Sequence, residues 1–201
     1  MLEKRVEAQA PELKLRVSSS NEWLAAVLAD FDSFLLDHAA AEKKAAGMAS
    51  SMLSHYPDKT ALVTAMIDLA IEEMAHFKEV HKIMIDRELI LGADTKDEYV
   101  NRLRKAIRNG KEEYFLDRLL VAGIVEARGC ERFGMIADAL PEGKLKKFYR
   151  VITDSEAKHE NLFLELAREY FSDAEISPRL DELLVLEAEI VSSLPIKAAL
   201  H

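Results

Sequence analysis

Two segments of the chain repeat the pattern Glu-x-x-His, at Glu73 and His76 and again at Glu156 and His159. Residues three apart lie on the same face of a helix, so the carboxylate and the imidazole of each pair can bind one ion. Both pairs also fall in rows of apolar residues spaced three or four apart, where a carboxylate without a partner is costly to bury. The pattern therefore indicates a metal site inside the protein.

The neighbours of each pair distinguish this interpretation from an ordinary solvated helix face, on which Glu and His three apart are common. Glu73 shares its helical row with Leu69 and Val80, whereas Glu72 shares its row with Asp68. The spacing therefore predicts that Glu72 faces solvent and that Glu73 faces the core.

A lone glutamate on the preceding apolar row accompanies each pair. Glu42 precedes Glu73 by almost the same separation as that between Glu126 and Glu156. Glu131 is an alternative to Glu126, but it is more than one helical turn closer to Glu156 and would be off the level of the other acids. The step from Glu42 to Glu126 also nearly equals the step from Glu73 to Glu156, as expected of a doubled two-helix unit.

Prolines mark the turn within each half. Pro57 lies almost midway between Glu42 and Glu73, and Pro141 lies midway between Glu126 and Glu156. Antiparallel helices bring two residues level when both are equally far from the turn, here about 22 Å at 1.5 Å per residue. Pairing the halves would bring four carboxylates and two imidazoles to one level of the core.

Four carboxylates repel one another strongly in a dry pocket, and two divalent or trivalent metal ions would compensate their charge. Hard oxygen ligands with one imidazole per ion suit iron or manganese rather than zinc or copper. The spacing leaves open which carboxylates bridge the two ions.

The rest of the chain is predicted to be helical, with no segment that alternates for long enough to form a strand. Four long helices and shorter ones predict an all-α bundle. We expect helices from a capping box of Ser19 and Glu22 to about Met52, from Leu62 to near Gly92, within residues 92–111, from Leu119 to Ala137, from Leu145 to Tyr170 and from about Pro178 to Ser193.

The composition is that of an acidic globular protein, with a net charge of -9 and 49% apolar residues. A single cysteine, Cys130, excludes an intramolecular disulfide and a cysteine-based zinc or iron–sulfur site. The charged N-terminus has no apolar core of signal-peptide length, and no apolar run is long enough for a membrane span. These features predict a cytoplasmic protein without a membrane partner.

The ligand pattern resembles that of the ferritin-like di-iron carboxylate proteins, in which a Glu from each of two helices joins Glu-x-x-His from each of two others. The resemblance implies a ferritin-like four-helix bundle formed by residues 1–201 as a single domain. It also implies two iron ions, with manganese as the alternative metal, and it carries the ligand role to Glu42, Glu73, His76, Glu126, Glu156 and His159.

Within that superfamily the chain most resembles the bacterial tRNA hydroxylases that act on methylthio-isopentenyladenosine. The matching segments are DHAAAEKKAAGMASSM, LAIEEMAHF, VEARGCERF and ITDSEAKHENLF. The resemblance implies a monooxygenase that hydroxylates the isopentenyl side chain of a tRNA adenosine with dioxygen. Two electrons would come from an external donor, a reductase or electron carrier, since the chain has no flavin or nicotinamide fingerprint.

Two basic segments without acidic residues are candidates for binding tRNA phosphates. A solvated helix face is the alternative interpretation of each, and neither contains an RNA-binding motif or an aromatic stacking platform. Their basic residues are Arg102, Arg104, Lys105, Arg108 and Lys111 in the first segment and Lys144, Lys146, Lys147 and Arg150 in the second.

Several residues near the candidate ligands have two interpretations. His38 lies one turn before Glu42 and either hydrogen-bonds that ligand or is a core or rim histidine. Cys130 is a small core residue or lines a substrate cavity, and Tyr149 is a packing residue or a redox relay. The remaining central histidines, His55 and His81, are predicted to lie on the surface.

Two other functions are compatible with the same ligand pattern. One is iron storage with ferroxidase activity, which would require a hollow assembly and many more than two iron ions per chain. The other is a di-iron oxygenase of a small lipid-like substrate, which would require an apolar tunnel and no affinity for RNA.

Overall fold

The computed structural model describes residues 11–201, except for the side chain of Glu160. The first ten residues, which include most of the charged N-terminus discussed above, lie outside this range. The described part contains helices and no strand, which confirms the all-α prediction. Its helices are α1 (Asn21–Ala29), α2 (Phe31–His55), α3 (Thr60–Asp86), α4 (Glu98–Lys105), α5 (Lys111–Ala139), α6 (Lys144–Tyr170) and α7 (Asp173–Ser193).

Two antiparallel hairpins form the bundle, as the turn positions predict. Helices α2 and α3 pack along each other, and so do α5 and α6, while α3 and α6 make a smaller contact that joins the hairpins. Helices α7 and α4 pack against α5, and α1 lies against α2 and α5. No helix within residues 11–201 combines the length and the apolar content that crossing a membrane requires.

Apolar layers lie on both sides of the level that contains the predicted ligands. Toward the α2–α3 turn, fully buried Met52, Leu62 and Met66 belong to the largest core cluster. Toward the other end, Phe34 and Phe133 belong to a second cluster that is rich in aromatic rings. Each such side chain contributes about 1.5–3 kcal/mol when it is removed from water, so the core is stable on either side of a polar layer.

A buried ion pair fastens the outer helices to the bundle. Arg128 of α5 donates to both carboxylate oxygens of Glu187 of α7, at 2.8 and 3.1 Å. Both side chains are buried, and so is Tyr99 of α4 beside them. The Tyr99 hydroxyl donates to Glu187 at 3.0 Å. This bidentate geometry satisfies the charges that burial would otherwise leave unpaired.

The first predicted helix differs from the observed structure at its start. Ser20 rather than Ser19 is the N-cap of α1, because its hydroxyl accepts a hydrogen bond from the backbone of Trp23 at 3.1 Å. Ser19 instead donates its hydroxyl to Glu131 at 2.8 Å. The predicted capping box of Ser19 and Glu22 is therefore wrong, because the N-cap lies one residue later.

The helix is also interrupted where the sequence predicts continuity. Asp30 separates α1 from α2, and its carboxylate accepts from the backbone of Ser33 at 3.2 Å. A short acidic side chain that satisfies a backbone N–H in this way starts a new helix. Helix α3 ends at Asp86, before the predicted end near Gly92, because Glu88 adopts a left-handed backbone conformation with φ 58°.

The last helix begins earlier than Pro178, where the sequence predicts its start. Ser172 and Glu175 form a capping box, and α7 begins at Asp173. Pro178 lies inside the helix, in its second turn, where its ring removes one backbone hydrogen bond without ending the helix.

Candidate metal centre

Six predicted side chains converge at one level of the bundle and form two overlapping groups. The first group is Glu42, Glu73, His76 and Glu156, and the second is Glu73, Glu126, Glu156 and His159. Within each group, one potential ligand atom per residue lies within 4.8 Å of all the others. Glu73 and Glu156 belong to both groups, so these two carboxylates would be available to both ions of a bound pair.

The helices bring these residues together because each hairpin is symmetric about its turn. Glu42 on α2 faces Glu73 on α3, and Glu126 on α5 faces Glu156 on α6. All four carboxylates are at most 7% exposed. This burial is the feature that requires compensation by cations.

Both imidazoles present Nδ1 to the carboxylates. His76 Nδ1 lies 3.7 Å from Glu42, 3.6 Å from Glu73 and 3.6 Å from Glu156. His159 Nδ1 lies 3.0 Å from Glu73 and 3.3 Å from Glu156. Each imidazole therefore directs one ring nitrogen into one of the two groups.

Three buried polar atoms of the cluster make no hydrogen bond of good geometry within the described part of the chain, although each lies near an ion-pair partner. Glu73 Oε1 and His76 Nδ1 face the ligand groups, and His159 Nε2 faces away from them toward Glu72. Such unpaired buried atoms are rare in native proteins and call for a further partner. A metal ion would supply that partner for the first two, so the donor set fits a metal pair.

Contacts within the metal-free cluster move protons onto the imidazoles. Burial would lower the pKa of His76, but the neighbouring carboxylates of Glu42 and Glu73 raise it to about 10. Burial also opposes the protonation of His159, whose contacts with Glu156 and Glu73 raise its pKa to about 12. Both imidazoles are therefore cationic at neutral pH when no metal is bound.

The two lone glutamates respond in opposite directions. Burial would raise the pKa of Glu42, but the hydrogen bond with His38 and the nearby His76 ring lower it to about 2. Burial raises the pKa of Glu126 well above its usual range, and the negative charges of Glu156 and Glu73 add to the increase. Without metal, two cationic imidazoles and a protonated Glu126 thus offset the charge of the other carboxylates.

His38 and Tyr149 form a buried chain that ends at Glu42. His38 Nε2 lies 2.6 Å from Glu42 Oε1, and its Nδ1 lies 3.2 Å from the Tyr149 hydroxyl. The Tyr149 ring also packs against aromatic side chains, including those of Phe34 and Phe133. Burial and the charge of Glu42 raise the pKa of Tyr149 well above its usual range, so its hydroxyl keeps its proton. Tyr149 therefore both packs in the core and orients His38.

Glu72 is a functional candidate that sequence reasoning assigned to solvent. Its side chain is 44% exposed, yet Oε2 lies 3.3 Å from His159 Nε2 and Oε1 accepts a hydrogen bond from Ser155. The separation of Glu72 and Ser155 along the chain equals that of Glu73 and Glu156. Residues of α3 and α6 with this same separation along the chain face each other where the two helices meet. The equal separation was the sequence signal that could have identified Glu72.

The other residues singled out above lie outside the cluster. Cys130 is half-buried, and its thiol lies 3.5 Å from the Thr153 carbonyl oxygen. His55 is exposed, as predicted, whereas His81 is half-buried and its ring stacks on Phe77. Glu131 contacts Ser19 and Arg128 rather than the metal layer.

The two basic segments are partly neutralised by acidic neighbours. Arg108 forms an ion pair with Asp117 at 2.7 Å, and Arg150 pairs with Asp138. These two acids are separated along α5 by about 31 Å, given the helical rise of 1.5 Å per residue. Lys146 pairs with Glu142 at 3.0 Å. The level of Glu126 therefore lies between the partners of Arg108 and Arg150.

Comparison with known proteins identifies relatives along nearly the whole chain. The family described as tRNA-(MS[2]IO[6]A)-hydroxylase (MiaE) matches residues 8–201. The tRNA 2-(methylsulfanyl)-N(6)-isopentenyladenosine(37) hydroxylase of Pseudomonas putida is 34% identical over 171 residues, which is 85% of this chain and 83% of that protein. The protein of the same description from Salmonella typhimurium is 33% identical over 132 residues, 66% of this chain and 48% of that protein.

A solved structure shares the fold. It is described as Protein 43 with aldehyde deformylating oxygenase activity from Synechococcus, and it is 31% identical with a TM-score of 0.88. The match covers 93% of this chain and 94% of that chain. Together with the buried carboxylate–imidazole cluster, these matches confirm the ferritin-like bundle and show that the chain belongs to the tRNA-(MS[2]IO[6]A)-hydroxylase (MiaE) family.

Proposed function

We propose that this protein is a di-iron monooxygenase that hydroxylates the isopentenyl side chain of a methylthio-isopentenyl-modified adenosine in tRNA. The observation that carries the proposal is the pair of overlapping buried ligand groups in a chain of this family. The substrate is taken from the descriptions of the Pseudomonas and Salmonella relatives. A tRNA substrate would place the protein in the cytoplasm.

Two iron ions, or manganese as the alternative, would be held by Glu42, Glu73, His76, Glu126, Glu156 and His159. Glu73 and Glu156 would serve both ions, because each belongs to both groups. Four carboxylates and one imidazole per ion suit these metals. Bound iron would supply the activation of dioxygen that hydroxylation of an allylic C–H bond requires.

The protein's own residues would keep this site dry, charged and oriented. The aliphatic and aromatic clusters on either side of the ligand level exclude water. His38, held by Tyr149, keeps the carboxylate of Glu42 oriented. Glu72 orients His159 through its outer nitrogen. Two electrons would come from a separate reductase or electron carrier, since one cysteine cannot ligate an iron–sulfur cluster.

The experiment supplies tRNA carrying the prenylated base, dioxygen and a chemical reductant to the iron-loaded protein, then weighs the digested nucleosides. We expect the modified nucleoside to gain the mass of one oxygen atom. The Glu156→Ala variant should lose this gain while it keeps its helix content, because that substitution removes a carboxylate from both ligand groups. No gain with the fully iron-loaded wild-type protein would contradict the proposal.

Oxygenation of a small lipid-like substrate is a second candidate, favoured by one observation. The solved structure that shares this fold is described as having aldehyde deformylating oxygenase activity. The same assay with a long-chain aldehyde in place of tRNA separates the two candidates. Turnover of the aldehyde without any change to the tRNA would favour the second function.

A further inference from the structure

His159 connects the metal cluster with a groove on the surface of the bundle. The groove has a volume of about 1000 Å³ and opens between α3 and α6, and of the six predicted ligands only His159 is among its described lining residues. Nδ1 of this ring lies 3.0 Å from Glu73 in a ligand group, whereas Nε2 lies 3.3 Å from Glu72 in the groove. The ring and the Glu72 carboxylate therefore stand between the groove and the ligand groups.

This arrangement closes the groove to atoms that would travel to the ligand groups, but it does not close it to electrons. An electron can cross an aromatic ring that contacts the acceptor, and it needs no open channel. His159 Nε2 is buried, makes no hydrogen bond of good geometry within the described part of the chain, and points toward the groove. His159 therefore offers a path for electrons rather than for a substrate.

We propose that a protein electron donor with a basic surface docks over this groove and passes electrons to the metal cluster through His159. This inference rests on the proposed function, which needs two electrons that a chain with one cysteine cannot supply from an iron–sulfur cluster of its own. Each donor molecule is oxidised by one electron, and two such transfers reduce two ferric ions to ferrous.

The charges that line the groove favour a basic partner. Asp68, Glu72 and Glu165 lie along it, and Lys158 is the single basic side chain among its described lining residues. Within residues 11–201, neither Asp68 nor Glu165 has an ion-pair partner within 4 Å. Unpaired carboxylates speed the capture of a cationic partner and orient it. The same carboxylates repel tRNA phosphates, which leaves this surface free for a protein.

An apolar face of α3 beside the groove suits a protein rather than a small cation. Ile67, Ile71 and Met74 follow one another at spacings of four and three, so they share one face of the helix. They are 46%, 65% and 47% exposed. Asp68, the residue after Ile67, lines the groove. Grouped apolar side chains next to charged ones are typical of protein interfaces, which have an apolar centre and a polar rim.

The test measures how fast two small reductants of opposite charge reduce the full-length protein loaded with ferric iron. Reduced methyl viologen is a cation and dithionite supplies an anion, and the near-ultraviolet absorption follows both reactions without tRNA. The groove variant is Asp68→Asn with Glu165→Gln, which removes two charges and no metal ligand. The matched control is Glu112→Gln with Glu189→Gln, which removes two exposed charges from α5 and α7 outside the groove.

We expect methyl viologen to reduce the groove variant about threefold or more slowly than the wild-type protein at low ionic strength. Dithionite should reduce it at least as fast as the wild-type protein, because the lost charges repelled an anion. The control variant should stay close to the wild-type protein with both reductants, and added salt should remove the difference. Iron content and helix content are measured in all variants.

A redox-inert polylysine peptide represents the basic surface of the donor in a second measurement. It should slow the reduction of the wild-type and control proteins by methyl viologen, because it covers the groove, and it should have little effect on the groove variant. Titration of the same peptide into the metal-free proteins measures binding without iron, and the groove variant should bind it more weakly than the control does.

Three results would overturn the inference. Equal rates with methyl viologen in the two double variants would place the entry of electrons elsewhere. A groove variant that both reductants reduce more slowly would show that the substitutions alter the metal site itself. Unchanged reduction with slower uptake of ferrous iron would make the groove a path for metal ions. The proposed function is tested independently, since its tRNA assay uses a chemical reductant and needs no donor protein.

Discussion

At the scale of single residues, protons take the place of metal ions in the cluster. His76 and His159 have pKa values raised to about 10 and about 12, and both rings face carboxylates. Metal ions bind the neutral imidazole and the ionised carboxylate, so iron bound at this cluster would displace protons from both histidines and from Glu126. Low pH therefore stabilises the metal-free cluster, whereas high pH favours metal binding.

This reversal predicts opposite pH dependences for the two forms. In the metal-free protein, the raised pKa values of His76 and His159 stabilise the folded state fully below their unfolded value of about 6.5, and this contribution is lost as the pH rises toward about 10 and about 12. The melting temperature of the metal-free protein should fall over that interval. Manganese binding should strengthen over the same interval, so the difference in melting temperature between loaded and free protein should widen.

Thermal unfolding followed by circular dichroism, with and without manganese, measures this difference. His55→Gln is the control, since His55 is exposed and lies outside the cluster, and it should follow the wild-type curve. A difference in melting temperature that stays constant or narrows with rising pH would show that the imidazoles do not exchange protons for metal.

At the scale of helices, the contact between α3 and α6 is the least extensive of those that enclose the cluster. Glu72 crosses this contact, because it extends from α3 to His159 and Ser155 on α6. Burial opposes the ionisation of Glu72, but its contacts with Ser155 and His159 lower its pKa, so the side chain is an anion there. An anionic partner on the outer nitrogen fixes the orientation of a ligand histidine.

We predict that Glu72→Ala weakens manganese binding by about 10–100-fold, the usual effect of losing such a partner. Glu72→Gln should restore much of the affinity, because an amide oxygen can still face the outer nitrogen of His159. The matched control is Glu79→Ala on the same helix, where the side chain is exposed and pairs with Lys82. Calorimetric titration of the three variants measures the affinities.

A structural role alone would give another result. If Glu72 only joined the two helices, Glu72→Ala would lower the melting temperature of the metal-free protein and leave manganese affinity unchanged. The visible spectrum of the iron-loaded variants adds a second measurement, since a displaced His159 changes the ligand field at one of two ions.

At the scale of the whole molecule, the basic residues lie in two segments, and the acidic partners of Arg108 and Arg150 are about 31 Å apart along α5. Arg108, Lys146 and Arg150 already have acidic partners. Among the described residues, no ion-pair partner lies within 4 Å of the other six basic residues of the two segments, which are Arg102, Arg104, Lys105, Lys111, Lys144 and Lys147. These six are therefore the stronger candidates for binding phosphates.

We predict that two double variants each weaken tRNA binding and reduce its dependence on salt. Arg104→Glu with Lys105→Glu alters one segment, and Lys144→Glu with Lys147→Glu alters the other. Each lost phosphate contact lowers the slope of log affinity against log salt by about 0.7–0.9, and an RNA that spans both segments gives additive losses. Filter binding over a range of salt concentrations measures both quantities.

The control for this charge reversal is Lys82→Glu, which alters an exposed lysine that is already paired with Glu79. Its tRNA affinity should stay close to that of the wild-type protein, and iron content should be unchanged in every variant. Unchanged affinity in both double variants would move the RNA-binding surface elsewhere on the molecule.

The sequence by itself determined the helices and the level of the cluster. Apolar residues at a spacing of three or four define a helix face, and nearly equal distances from Pro57 and Pro141 place opposed residues at one height. Both are local properties of a hairpin, so they follow from the order of residues along the chain. The sequence did not predict the break between helices at Asp30 or the end of α3 at Asp86. Both depend on the side-chain or backbone geometry of single residues.

Only the tertiary structure decided the features that depend on the contact between the two hairpins. Glu73 and Glu156 belong to both ligand groups because α3 and α6 turn these side chains toward each other. The contact of Glu72 with His159 depends on the same orientation of the two helices. The spacing of apolar residues placed Glu72 on the solvent face because this spacing describes the faces of a single helix and not its contacts with other helices. Contacts between helices that are distant in sequence are set by how their side chains pack, and no spacing along the chain encodes that arrangement.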